Sequence, residues 1–289
     1  MTPADTAEAA GAASAWVLAL LALSLAGYAL GVARLWRRAG ARRGLGLGQV
    51  LAFAAGWSLL AAALLSPLDA WAEQLFCAHM LQHELLMLAA APLLVLGRPL
   101  AAWAWALPQG RSRALGAFFR TPGWQVGWQA ITRPLGAWAL HALALWGWHL
   151  PALFDAALHN EAVHALQHTS FLGTALLFWW SVLRPQARRR TTAGPALLSL
   201  FTTLLHTGAL GALLTLAPQA LYMDPRATAL PWGLDPLADQ QLGGLLMWVP
   251  GSIVYLGCAL WLGARLLSPA QRPRGPRPAP LARPRPGAP

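Results

Sequence analysis

A chain of 289 residues that is 57% hydrophobic, only 11% charged and holds 16 Trp has more apolar surface than a water-soluble domain of that size can bury; this excludes an ordinary globular protein and makes lipid its solvent. The formal charge of +11 comes from Arg alone, but the Arg residues stand in blocks between apolar runs, without the basic face that nucleic-acid binding needs. Cys77 and Cys258 both fall inside apolar runs, so there is no disulfide framework and no zinc-finger spacing.

In chain order, the first 15 residues carry Asp5 and Glu8 but no Arg, so the basic start of a signal peptide is missing and the first apolar run reads as a retained helix. Seven runs have the length of about 20 residues that a bilayer requires: 15–34, 46–66, 72–97, 133–150, 161–183, 195–217 and 241–266. Arg blocks follow the first, third, fifth and seventh runs. With seven crossings, 20 of the 21 basic residues lie on one side, which the positive-inside rule makes cytoplasmic; only Arg226 is outside. The acids sort oppositely, with Asp69, Glu73, Asp155, Glu161, Asp235 and Asp239 in outer loops or at outer helix ends. The expected fold is therefore an all-α, polytopic membrane bundle of about seven helices, N-terminus outside and C-terminus cytoplasmic, forming one domain over 1–267.

Residues 98–133 mix Trp103, Trp105, Phe118, Phe119, Trp124 and Trp128 with Arg and Gly, a composition suited to the headgroup plane; Arg111, Arg113 and Arg120 interrupt any further crossing. The loop 218–240 has Pro, Gly and Asp at turn spacing and could cap the outer face. The Pro/Arg-rich tail 268–289 cannot bury a core and is expected to be a disordered cytoplasmic extension.

All eight histidines fall in the middle or outer part of this arrangement, and none lies in the first two runs or in a cytoplasmic loop. Ionisable groups inside a membrane are costly and normally face a bundle interior or a wet cavity. His79 with His83, and His164 with His168, are one helical turn apart, so each pair shares a face about 5–6 Å apart and forms a ready bidentate metal site. Met80, Met87 and Met247 lie in the same half; imidazole plus thioether is a ligand set that suits copper. The candidate ligands are His79, Met80, His83, His149, His164, His168 and Met247. Interhelical hydrogen bonding is the competing use of such groups and fits His141 and His206 better. A b-type haem is the rival cofactor; two His pairs could serve one macrocycle but have too little room for two, and there is no CxxCH.

Hydrolase, nucleotide-binding and dithiol motifs are absent, so a non-enzymatic role is expected. Glu84 beside His83 could accept a proton or orient a ligand imidazole, or be a carboxyl kept neutral by burial. Asp239 and Gln240 could reach the same outer cavity, although Asp at a helix start is commonly a cap. Gly243 and Gly244 offer a small-residue face through which two copies could pair.

Four strings in order, HMLQHELLMLAAAPLLVLGRPL from His79, WHLPALFDAAL from Trp148, HALQHTSFLGTALLFWW from His164 and DQQLGGLLMWVPG from Asp239, resemble the successive signatures of CtaG-type assembly factors of caa3-type cytochrome c oxidase. The resemblance runs from about Leu65 to Gly263 and leaves out the Pro/Arg tail and the Trp-rich segment. It implies a multi-pass protein of a bacterial cytoplasmic membrane, embedded in lipid, that assists oxidase subunits and handles copper. The positions it singles out are His79, Met80, His83, Trp148, His149, Pro151, His164, His168, Asp239, Gln240, Gly243, Gly244, Met247 and Trp248. The expected function is metallation of the oxidase through an outward-facing His/Met cluster, the alternatives being a haem-binding redox protein and a metal-free scaffold for oxidase subunits.

Overall fold

The computed structural model describes residues 3–183, 190–222 and 233–267, with side chains from residue 15 onward except those of 190–192. Every element among them is helical. The tail 268–289, Met223 and Arg226 lie outside the described residues.

Helix α1 spans Pro3–Ala39 and α2 spans Leu47–Leu65; a short α3, Pro67–Ala72, follows with Ser66 as N-cap, its hydroxyl accepting from the Leu68 amide at 3.2 Å. The third apolar run becomes one continuous rod of three pieces: α4 (Phe76–Glu84), a π-helical turn (Leu85–Ala90) and α5 (Ala91–Leu96). The wide turn has a local cause. Pro92 has no amide proton for the Leu88 carbonyl and its ring crowds that carbonyl, and just before it the Ala91 amide reaches back five residues to Leu86.

Three helices, α6 (Pro99–Ala106), α7 (Gln109–Phe118) and α8 (Pro122–Thr132), make up the Trp-rich segment; none reaches membrane-spanning length, and α7 and α8 bury no residue. The remaining helices are α9 (Pro134–Trp148), α10 (Pro151–His159), α11 (Glu161–Leu183), α12 (Arg190–Thr215) and α13 (Pro236–Leu267). Asp235 caps α13 by accepting from the Ala238 amide at 2.8 Å.

Among the described residues five stretches are long and apolar enough to cross a membrane: Ala15–Ala39, Leu47–Leu65, Phe76–Leu96, Ala193–Thr215 and Pro236–Leu267. The fourth and fifth expected spans differ from them for separate reasons. The fourth, 133–150, is α9 with 15 residues, broken at Leu150–Pro151 before α10. The fifth, α11, has 23 residues, but His164, Gln167, His168, Thr169, Ser170 and Thr174 dilute its hydropathy.

The α4–π–α5 rod is central: α13 packs on its first part, α2 and α11 on its second. α12 and α13 form the most extensive helix pair, with glycine allowing close approach. A Cβ on Gly244 would stand 2.6 Å from the Thr215 amide nitrogen, and one on Gly243 would stand 2.5 Å from the Phe76 ring. The small-residue face considered for dimerisation is thus occupied within the chain. One apolar core joins Met87, Leu145, Phe171, Phe178, Trp179 and Tyr255; a second joins α1, α2, α5 and α6 around Tyr28, Phe53 and Leu94. The outer surface is apolar as well, with Leu143 71% and Ile253 66% exposed, as lipid contact requires.

Candidate functional site

The two His pairs meet. His79 and His83 on α4 have ring centroids 4.3 Å apart, and His164 and His168 on α11 have theirs 4.2 Å apart. Across the helix interface His79 lies 5.4 Å from His164 and 6.1 Å from His168, and His83 lies 5.1 Å from His168. Phe154 and Phe171 wall the cluster, 5.5 Å from His79 and 4.6 Å from His83 respectively. His79 and His83 are each 2% exposed. The Nε2 atoms of His79, His164 and His168, and both ring nitrogens of His83, are buried without a hydrogen-bond partner. A buried polar atom left unpaired costs about 1–3 kcal/mol, so the cluster is a place where a cation or water would be held. As the side chains stand, however, no group of three or more His, Cys, Asp or Glu among the described residues forms a finished metal site.

Above the rings opens a cavity of about 550 Å³ whose lining includes His79, His164, His168, Asp69, Glu73 and Glu161. Its acids suit cation entry. Asp69 shares the cavity lining with His164, and its Oδ1 accepts from Gln82 Nε2 at 2.7 Å; the same amide donates to the Ala63 carbonyl at 2.7 Å. Gln82 therefore ties the cavity rim to α2 beneath the rings.

His149 is buried at the C-terminal end of α9. Its Nδ1 lies 2.7 Å from the Leu145 carbonyl, an acceptor, so Nδ1 carries the proton and the unpartnered Nε2 presents a lone pair. The ring lies 6.3 Å from Phe171, the same ring that walls His83, so it borders the cluster. The Tyr222 hydroxyl donates to the His149 carbonyl at 2.7 Å; burial pushes that phenol up to about 12, so it keeps its proton at neutral pH.

Met80 and Met247 are brought together but elsewhere, in a small apolar cluster with Phe154, Leu210 and Leu214. Met87 packs in the core, where its carbonyl accepts from Trp179 Nε1 at 2.8 Å. Glu84 points toward α13: its buried Oε2 has no partner and lies 3.8 Å from the Cβ position of Gly251, near Tyr255. Asp239 does cap a helix, but not its own. Its carboxylate accepts from the Phe76 amide at 2.7 Å and the Cys77 amide at 2.9 Å, anchoring the start of α4 one turn before His79. Gln240 accepts from the Leu221 amide at 2.6 Å and donates to the Leu214 carbonyl at 3.3 Å, closing the end of α12.

His141 and His206 have partners of their own outside the four-ring cluster. Thr174 already donates its hydroxyl proton to the Ser170 carbonyl, so it faces His141 Nδ1, 3.2 Å away, as an acceptor. His206 packs against Trp138, 5.9 Å away. His159 is exposed and bonded to Asp155, although it lines the outer cavity.

Sequence reasoning did not assign Asp69, Glu73 and Glu161 to the cavity rim or Gln82 to its support. A signal was present: both pairs read HxxQH, at 79–83 and 164–168, and each central Gln, Gln82 and Gln167, is buried.

These features define a class, an all-helical, membrane-type bundle that gathers imidazoles with buried, unpartnered nitrogens from two helices beneath an acid-rimmed cavity. Within that class the chain belongs to the cytochrome c oxidase caa3 assembly factor family (Caa3_CtaG), whose model matches residues 26–268. Similar proteins include the uncharacterized proteins Mb0105 of Mycobacterium bovis and MT0111 of Mycobacterium tuberculosis, each 28% identical over 228 residues, or 77% of this chain. The chain spans about a third of the length of these curated relatives, 34% of each. No solved structure matches it.

Proposed function

We propose that this protein assists assembly of a cytochrome c oxidase in a bacterial cytoplasmic membrane by taking up copper at the His79, His83, His164 and His168 cluster and presenting it to the oxidase subunit that carries the outward-facing copper centre. The observation that carries this reading is the convergence of four imidazoles from two helices, His79 and His83 buried and the Nε2 of each ring buried without a partner. Copper is cargo here, and no chemical step is assigned to the protein. Neutral imidazole nitrogens suit copper. His149, with its buried, unpartnered Nε2, is the fifth candidate donor. Met80 and Met247 serve as packing beside the site. Asp69, Glu73 and Glu161 draw the cation in; Asp239 and Gln82 hold the elements that carry the rings.

In this reading α9 with α10, and α11, supply the fourth and fifth of seven crossings. The N-terminus is then outside, and the cavity opens at the outer surface, where a metal passes between proteins without crossing the bilayer. The test is copper analysis and a visible spectrum on the purified protein. One copper per chain is expected, lost when His79, His83, His164 and His168 are all changed to Ala while far-ultraviolet dichroism is unchanged. Unchanged stoichiometry in that variant sinks the assignment. A Soret band in place of copper supports a haem protein, and neither ligand supports a scaffold.

A further inference from the structure

The opposite end of the bundle holds a second site. The C-terminal end of α1, the end of α6 and the start of α7 enclose a cavity of about 770 Å³, its lining including Arg34, Arg37, Arg38, Arg113, Trp105 and Gln109. Arg34 also donates to the Ala106 carbonyl, the last of α6, which fixes one guanidinium in the wall. Among the described residues the single ion pair is His159 with Asp155, so no described carboxylate pairs with these four arginines. The segments 184–189 and 268–289 contain no Asp or Glu that could do so. Four unneutralised guanidiniums round one cavity repel one another, and an anion with several oxygens relieves that repulsion while taking up their planar N–H forks.

We propose that this cavity binds the phosphate headgroup of an anionic phospholipid. Two features select a lipid over a free phosphate. The cavity sits at the end of the membrane-crossing stretch Ala15–Ala39, at headgroup depth, and Ala104, Trp105, Leu107 and Pro108 add an apolar wall suited to a glycerol backbone and the start of acyl chains. The α7 helix begins at this cavity without a side-chain cap, so its first amides add donors to those of the arginines.

The test is native mass spectrometry of the full chain in detergent micelles doped with cardiolipin, phosphatidylglycerol or phosphatidylcholine, with sodium phosphate as the soluble comparison. Retention of cardiolipin or phosphatidylglycerol is expected, against little phosphatidylcholine or phosphate. The variant R37Q/R38Q/R113Q leaves Arg34 on the Ala106 carbonyl and is expected to weaken retention by about tenfold or more, the scale of one lost charge-assisted hydrogen bond. R111Q/R120Q/R133Q removes equal charge outside the cavity and is expected to retain lipid as the wild type does. Equal losses in the two variants, or no loss in the first, overturn the site; phosphate binding as tight as lipid binding overturns the lipid assignment.

Discussion

His79 and His164 stack across the interface of α4 and α11 with ring centroids 5.4 Å apart and 19° between their planes. Each brings a second imidazole one turn along its own helix, so a contact between two helices becomes a four-ring cluster. Binding of one ion there ties the two helices together, and a ligand that binds only the folded state stabilises it by mass action. At copper concentrations about 100 times Kd the gain is about 2.7 kcal/mol, roughly 5–10 °C in the melting temperature of the detergent-solubilised protein. The single variant H83A keeps the other three rings of the cluster and should show a smaller shift; the fourfold Ala variant should show none. Thermal unfolding with and without Cu(I) measures this, and equal shifts in all three proteins would place copper elsewhere.

Asp239 should matter to the site without touching it. Its two oxygens satisfy the Phe76 and Cys77 amides, the first donors of α4, from a position 2% exposed. In D239A both amides lose their acceptor in an apolar setting, at a cost of roughly 2–3 kcal/mol. D239N keeps one acceptor oxygen and turns an NH2 toward the other amide, so it should lose about as much. Hydrogen exchange at Phe76 and Cys77 should accelerate in both variants, and copper affinity should fall by about tenfold because His79 lies in the turn that loosens. Unchanged exchange at these two amides would show that the cap is dispensable.

Glycine at 243 is required by shape. An added Cβ meets the Phe76 ring at 2.5–2.7 Å and Met80 Cγ at 3.2 Å. The ring cannot retreat easily, since Tyr222 stacks on it at 5.1 Å and Phe154 abuts it at 5.4 Å. G243A should therefore destabilise the bundle by about 1–3 kcal/mol, as overpacking does. G257A is the matched control, because nothing lies within 4 Å of its added Cβ. If both variants melt with the wild type, the close approach of α13 to α4 carries no energy.

Much of this site was legible because its signal is local: a His every fourth residue on an apolar helix places two rings on one face whatever the tertiary structure. The partnership of His79 with His164, and the union of Met80 with Met247 in a separate apolar cluster, depend on how α4, α11 and α13 rotate against one another. Residue spacing within each helix carries no information on that rotation. The same limit explains Asp239, read as reaching the outer cavity or capping a helix and found capping α4. Span counting reads seven runs alike, whereas five of the described helices meet the length and hydropathy of a crossing: the His and hydroxyl groups of α11 lower its hydropathy, while Pro151 divides the run of α9 from α10. The π turn had one sequence cue, Pro92, whose missing amide disturbs the turn before it.

That turn yields the last prediction. Trp179 Nε1 donates to the Met87 carbonyl at 2.8 Å inside the π-helical segment, and its ring stacks on Tyr255 at 5.7 Å with 10° between planes. W179F keeps an aromatic ring against Tyr255 but removes the donor and leaves a small void, so a buried carbonyl loses its partner. The expected loss is roughly 2–4 kcal/mol, combining the unpaired acceptor with the void. Because the π turn sets the rotation between α4, which carries His79 and His83, and α5, its relaxation should also reach the rings. Copper affinity should fall along with stability, and the Ala91 amide, bonded back to Leu86, should exchange faster. S181A supplies the comparison: its hydroxyl donates to the Phe178 carbonyl of the same helix, so its loss should cost less than about 1 kcal/mol and leave the Ala91 amide protected. If W179F loses stability but Ala91 stays as protected as in the wild type, the indole holds α11 in place without governing the π turn.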